Sequence, residues 1–117
     1  MLDITRIETN QRMSRVVQCN GFTFLGGQTA TDRTLDIKGQ TAQVLEKIDN
    51  FLAKAGLDKT RILSAQVWLS DINAHFAGMN EVWDAWAPDG HAPARATVES
   101  RLAAPDLLVE ITVIAAG

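Results

Sequence analysis

The chain has 117 residues, 46% of them hydrophobic and 21% charged, with a formal net charge of −3 and a pI near 5.2. That length suits one domain, residues 1–117, around one core. The acid excess, with seven arginines and four lysines scattered along the chain, argues against a nucleic-acid surface.

No apolar run approaches the ~20 residues of a membrane span. The opening MLDITRIETNQR is polar and mixed in charge, unlike a secretion signal. A single cysteine, Cys19, allows no internal disulfide and fits a reducing, cytoplasmic setting.

In chain order, RVVQC and FTFLGGQ flank Asn20-Gly21. Both turn residues tolerate positive φ, so the segment predicts a β-hairpin. After the loop TATDRT comes LDIKGQTAQVLEKIDNFLAKAG, where Ile37, Val44, Leu45, Ile48, Phe51, Leu52 and Ala55 recur at helical spacing. Thr34 or Asp36 can cap this helix, and Gly56 stands where a C′ glycine belongs. RILSAQVWLSD alternates as a strand, with Leu63, Ala65, Val67 and Leu69 on one face. A second helix follows, capped by Asp71 or Asn73 and lined by Phe76, Met79, Trp83, Trp86 and Ala87, and ends near Pro88-Asp89-Gly90. ARATVESRL and LLVEITVIAA read as the last two strands. The order β-β-α-β-α-β-β predicts an α+β fold, a mixed sheet with two helices on one face.

Arg95 heads a strand, directly after a proline and an alanine, and the nearest charge in sequence is Glu99. A desolvated guanidinium needs an anion, supplied by the chain or by a ligand. Alternation puts Ala94, Ala96, Val98 and Leu102 on one face, and Arg95, Thr97, Glu99 and Arg101 on the other. In the last strand Leu107, Val109, Ile111, Val113 and Ala115 oppose Leu108, Glu110, Thr112 and Ile114. The purely apolar faces are expected to meet the helices. The mixed face is expected at a subunit interface, with Arg95, Thr97 and Glu110 near it. The competing reading is a cross-strand Arg95–Glu110 ion pair, worth about 0.2–1 kcal/mol.

Other reactive residue types form no pattern. His75 and His91 lack metal-ligand spacing, and no metal site is expected. Cys19 reads as a buried, inert thiol. Trp68, Trp83 and Trp86 fit core or interface better than a base-stacking platform. GQTAQ, residues 39–43, lies within a helical pattern, so it is not a phosphate loop. No serine–histidine arrangement is evident.

GGQTA, GQTAQVLEKIDNFLAKAGL, ILSAQVWLSDINAHFAGMNEVWDAW, PARATVES and LLVEITVIA resemble successive signatures of the RidA (reactive intermediate deaminase) family, also called YjgF or L-PSP endoribonuclease-like. The match runs in register from about Val16 to Ala115, and MNEVWDAW with GHAPARATV is similar to a YoaB-like subgroup. The resemblance implies a chorismate-mutase-like fold and a homotrimer with clefts between subunits. It implies no cofactor, and as activity a deaminase-like hydrolysis of 2-iminobutanoate or 2-iminopropanoate to 2-keto acid and ammonia. It places the carboxylate-binding arginine on Arg95, the water-positioning glutamate on Glu110 and the helix asparagine on Asn80. The position whose backbone holds water or substrate falls on Thr97, where many deaminases carry cysteine.

The chain departs from that pattern in two places. It has no tyrosine, and Met13 to Arg15 occupy the neighbourhood of the family's tyrosine. Gly26 stands where a serine is common.

The chemistry such residues support is modest in its demands. Arginine offers a planar carboxylate a bidentate fork. Glu110 can orient water over an electrophilic iminium carbon. Gly26 and Gly27 let backbone approach a ligand. Two alternatives stay open: a trimer that binds small carboxylates without chemistry, and a ribonuclease, disfavoured by the acidic pI.

Overall fold

A computed structural model describes all 117 residues. Six strands form one mixed sheet in the order β1-β2-β3-β6-β4-β5. The strands are β1 (Ile4–Thr9), β2 (Ser14–Cys19), β3 (Phe22–Leu25), β4 (Ile62–Leu69), β5 (Ala94–Glu99) and β6 (Val109–Ala116). Helices α1 (Ile37–Lys54) and α2 (Ile72–Trp86) cover one face. The order is β-β-β-α-β-α-β-β, so the α+β class and helix layer are as expected, with one strand more. That strand is β1, within the polar N-terminal segment. It is an edge strand paired only to β2, and only Ile7 is even half-buried, so it lacks the alternation that marks a strand.

Local chemistry sets the boundaries. Asn20 and Gly21 both adopt positive φ, 53° and 78°, which closes β2 onto β3 in a two-residue turn. Asp36 caps α1 by accepting from the Gly39 N–H at 2.9 Å, and Asp71 caps α2 by accepting from the Ala74 N–H at 3.1 Å. Trp86 Nε1 donates to Asp49 at 3.0 Å and ties the two helices together.

Buried Val44, Leu45, Ile48 and Leu52 of α1 and Met79 and Trp83 of α2 meet Ala65, Val67, Val109, Ile111 and Val113 of the sheet. Gln40, fully buried, stitches this layer to the loop before β6. Its amide donates to the Leu35 and Asp106 carbonyls and accepts from the Leu108 N–H, at 2.9–3.1 Å.

Three expectations about faces need correcting. Leu63 is 47% exposed, because a bulge between Ile62 and Ser64 removes it from the core face. Phe76 is also exposed, and α2 buries Met79 and Trp83 instead. In β5 the faces are reversed. Parallel pairing sets Arg95 beside Ala65 and Thr97 beside Val67, and both β4 partners are buried under the helices. Arg95, Thr97 and Glu99 therefore point to the helix side, whereas Ala94, Ala96 and Val98 face outward.

The molecule is only 20 Å thick along its shortest axis, one sheet and one helix layer. Nothing covers the second sheet face, where Phe22, Phe24 and Val98 are each more than 40% exposed.

Candidate functional site

Arg95 lies on the edge strand, beneath α2. Its Cζ is 5.0 Å from the centroid of the buried Trp83 ring, and Nη1 is 3.9 Å from Met79 Sδ. An indole face and a thioether attract a guanidinium but do not neutralise it. Glu99 is used elsewhere: its carboxylate accepts from the Ile72 N–H at 3.1 Å, at the start of α2. The chain's ion pairs are Arg33–Asp106, Lys38–Glu81 and Lys54–Glu8, so Arg95 has no carboxylate within 4 Å.

Two more polar groups of this region are unsatisfied. Thr97 Oγ1, two residues along the same face, and Asn80 Oδ1, on α2 next to Met79, are buried without a hydrogen-bond partner. A buried polar atom left unpaired costs about 1–3 kcal/mol. Two such atoms, one on the strand of an unpaired guanidinium and one on the helix above it, fit a site that is completed by a ligand.

The second cluster belongs to the other sheet face. Between the Phe24–Ile114 pair and the Gln28–Ile111 pair, the β3 side has one residue more than β6, a bulge at Gly26-Gly27. Gln28 rejoins β6 through two backbone bonds with Ile111, at 2.8 and 3.1 Å. The bulge brings Gly27 against Glu110, where a Cβ on Gly27 would stand 2.2 Å from Glu110 Oε2. Glycine is required for that close approach. A Cβ on Gly26 would be 2.9 Å from the terminal methyl of Met13. The close approaches at both glycines are thus to side chains of this chain. Glu110 itself is half-buried, with no ion-pair partner.

Glu110 pairs across the sheet with Trp68, which pairs with Val98, on the face opposite to Arg95. A cross-strand Arg95–Glu110 ion pair is therefore impossible within one chain. The sequence-predicted residues form two groups: Arg95, Thr97 and Asn80 at the helix-side edge, and Gly26, Gly27 and Glu110 on the open face. Met79 and Trp83, the side chains that flank Arg95, carried only the signal of an apolar helix stripe. Cys19 is half-buried rather than buried, His91 lies in an exposed loop, and His75 is half-buried on α2.

The sequence profile of the Endoribonuclease L-PSP family matches residues 3–117. The chain belongs to this family, the YjgF/RidA-like proteins. A RutC family protein of Haemophilus ducreyi is 46% identical over 113 residues, 97% of this chain and 96% of the relative. The RutC family protein YoaB of Escherichia coli K12 is 42% identical over 115 residues, covering 98% and 99% of the two chains. Among solved structures, NMB1025 of Neisseria meningitidis, a YjgF family member, superposes with a TM-score of 0.94 at 44% identity, covering 97% of this chain and 94% of that one. The chorismate-mutase-like architecture of the family is thus the architecture of this chain.

Proposed function

We propose that this protein is an imine deaminase, hydrolysing 2-imino acids of the 2-aminoacrylate/2-iminopropanoate type to 2-keto acids and ammonia. The site is shared between subunits of a homotrimer. Arg95, Thr97 and Asn80 come from one subunit, and Gly26, Gly27 and Glu110 from its neighbour. The observation that carries this reading is the unpaired guanidinium of Arg95, together with the unsatisfied Thr97 on its strand and Asn80 on the helix that covers it. The separation of the two groups onto opposite faces fits a site that one chain cannot complete.

Arg95 grips the substrate carboxylate with its two-pronged fork. Asn80 Oδ1 accepts a hydrogen bond from the iminium N–H, and Thr97 Oγ1 holds the carboxylate or the water. Glu110 takes a proton from that water as its oxygen bonds to C2, and the C=N double bond becomes single. The proton then passes to the nitrogen. The C–N bond breaks, ammonia leaves, and the hydroxyl proton passes to Glu110 as the carbonyl forms. No electrons are exchanged with any other reagent.

The test is turnover of freshly generated 2-iminopropanoate. Keto acid should form well above the spontaneous rate, and Arg95→Lys should lower kcat/KM roughly a hundredfold, because the fork is lost. An Arg95→Ala protein with undiminished activity would refute the assignment.

One observation favours a second reading. Met13 and Gly26, not tyrosine and serine, line the Glu110 side, so this face offers fewer polar groups to a reaction. A trimer that binds 2-keto acids without turnover would show affinity for pyruvate and only the spontaneous rate of imine hydrolysis.

A further inference from the structure

A cleft of about 350 Å³ separates α1 from the strands around β2. It is lined by Arg15, Lys47, Gly27, Thr29, Phe51 and Glu8. Arg15 and Lys47 are both half-buried, and neither has an acid within 4 Å. Glu8 is committed to Lys54, which also stands 5.4 Å over the Phe51 ring. Glu46, next to Lys47 on α1, forms no ion pair either.

The two cations have weak or neutral partners. Arg15 Nη1 reaches only Met13 Sδ, at 3.7 Å, and Lys47 Nζ donates to the Thr29 carbonyl at 2.7 Å. Burial lowers the Lys47 pKa from 10.5, and the charge of Arg15 lowers it further. Two cations thus share a partly dry cleft whose one lining acid, Glu8, is already paired with Lys54, a condition that an anionic ligand relieves.

We infer that Arg15 and Lys47 form a second anion subsite, which takes the side-chain carboxylate of an acidic 2-imino acid. The inference rests on the deaminase reading of the Arg95 site. Gly27 provides the connection: it lines this cleft, and it also packs against the Glu110 carboxylate. Gly27 thus borders both the open face at Glu110 and the α1-side cleft, and a substrate whose C2 stands at Glu110 can send its side chain round this bulge to the two cations. An apolar side chain leaves both cations unpaired there, whereas a carboxylate gains charge-assisted hydrogen bonds from both.

The experiment compares 2-oxoglutarate with 2-oxobutanoate, product analogues with and without the second carboxylate, by calorimetry on the full chain. The diacid should bind about tenfold tighter or better, given the strength of charged hydrogen bonds. That ratio should fall towards one in Lys47→Met and in Arg15→Met, with thermal melting checking that each variant folds. NMR of the Lys47 side chain gives an independent readout. Saturating 2-oxoglutarate should move its titration midpoint back upward, since a neighbouring anion favours the charged amine, and 2-oxobutanoate should not.

The failures separate. If 2-oxobutanoate binds through Arg95, but the diacid binds no tighter and leaves Lys47 unmoved, the subsite is overturned and the deaminase reading stands. If neither acid responds to Arg95→Ala, yet the diacid shifts Lys47, the cleft binds anions and the Arg95 reading fails. If the Lys47 midpoint is indifferent to both acids, there is no anion subsite.

Discussion

At Thr97 the requirements of stability and function diverge, and Thr97→Val measures both. The hydroxyl is buried and bonds to nothing, so an isosteric methyl should leave unfolding free energy within about 0.5 kcal/mol or raise it slightly. Affinity for 2-keto acids should nevertheless fall several-fold. A large loss of stability would mean that Thr97 has a structural partner.

Gly27→Ala tests the opposite cluster. Its Cβ would displace the Glu110 carboxylate, so kcat should drop at least about tenfold while the helix-side residues stay in place. Unchanged turnover in steady-state assays would remove Glu110 from the mechanism. These residues were legible as chemistry-bearing types and as matches to a family pattern. The environment of Arg95 was not: an indole and a thioether at helical spacing look the same whether they pack on leucine or on a guanidinium.

At the scale of elements, periodicity located both helices and their caps. It misjudged β5, whose apolar face is the exposed one and whose Arg95 and Thr97 are half-buried. The rule that the apolar face meets the core presumes that the other face is solvated. β5 breaks that premise, because its Ala94, Ala96 and Val98 look onto a sheet face with no helix, while its polar residues slide under the rim of α2. β1 went unread for the complementary reason, since an edge strand that buries almost nothing needs no pattern.

Gln40 shows what a satisfied buried amide contributes, in contrast to Asn80. Gln40→Ala strands two carbonyls and the Leu108 N–H, and should cost about 2–4 kcal/mol in chemical denaturation. Asp71→Ala, which removes the α2 cap, should cost about 1 kcal/mol. An unaltered denaturation midpoint in either variant would contradict the role given to that side chain.

For the whole molecule, the uncovered sheet face carries Phe22, Phe24 and Val98 in the open, beside a shallow trough of about 370 Å³ formed by Ser64, Gln66, Ala96 and Thr112 among others. Exposed apolar side chains of this kind mark interaction surfaces, and in the proposed trimer a like subunit packs on this face. Val98→Glu should shift sedimentation towards the monomer and abolish turnover together, since Arg95 and Glu110 would no longer meet. A monomeric variant with full activity would separate assembly from catalysis.

The most direct test of a shared site mixes two inactive proteins. Arg95→Ala keeps the Glu110 half, and Glu110→Gln keeps the Arg95 half. If each site draws one residue from each of two neighbours, unfolding the two variants together and refolding them in equal amounts should restore about a quarter of wild-type activity, by random assembly in a cyclic oligomer. If both residues act from the same chain, the co-refolded mixture would stay as inactive as its parents.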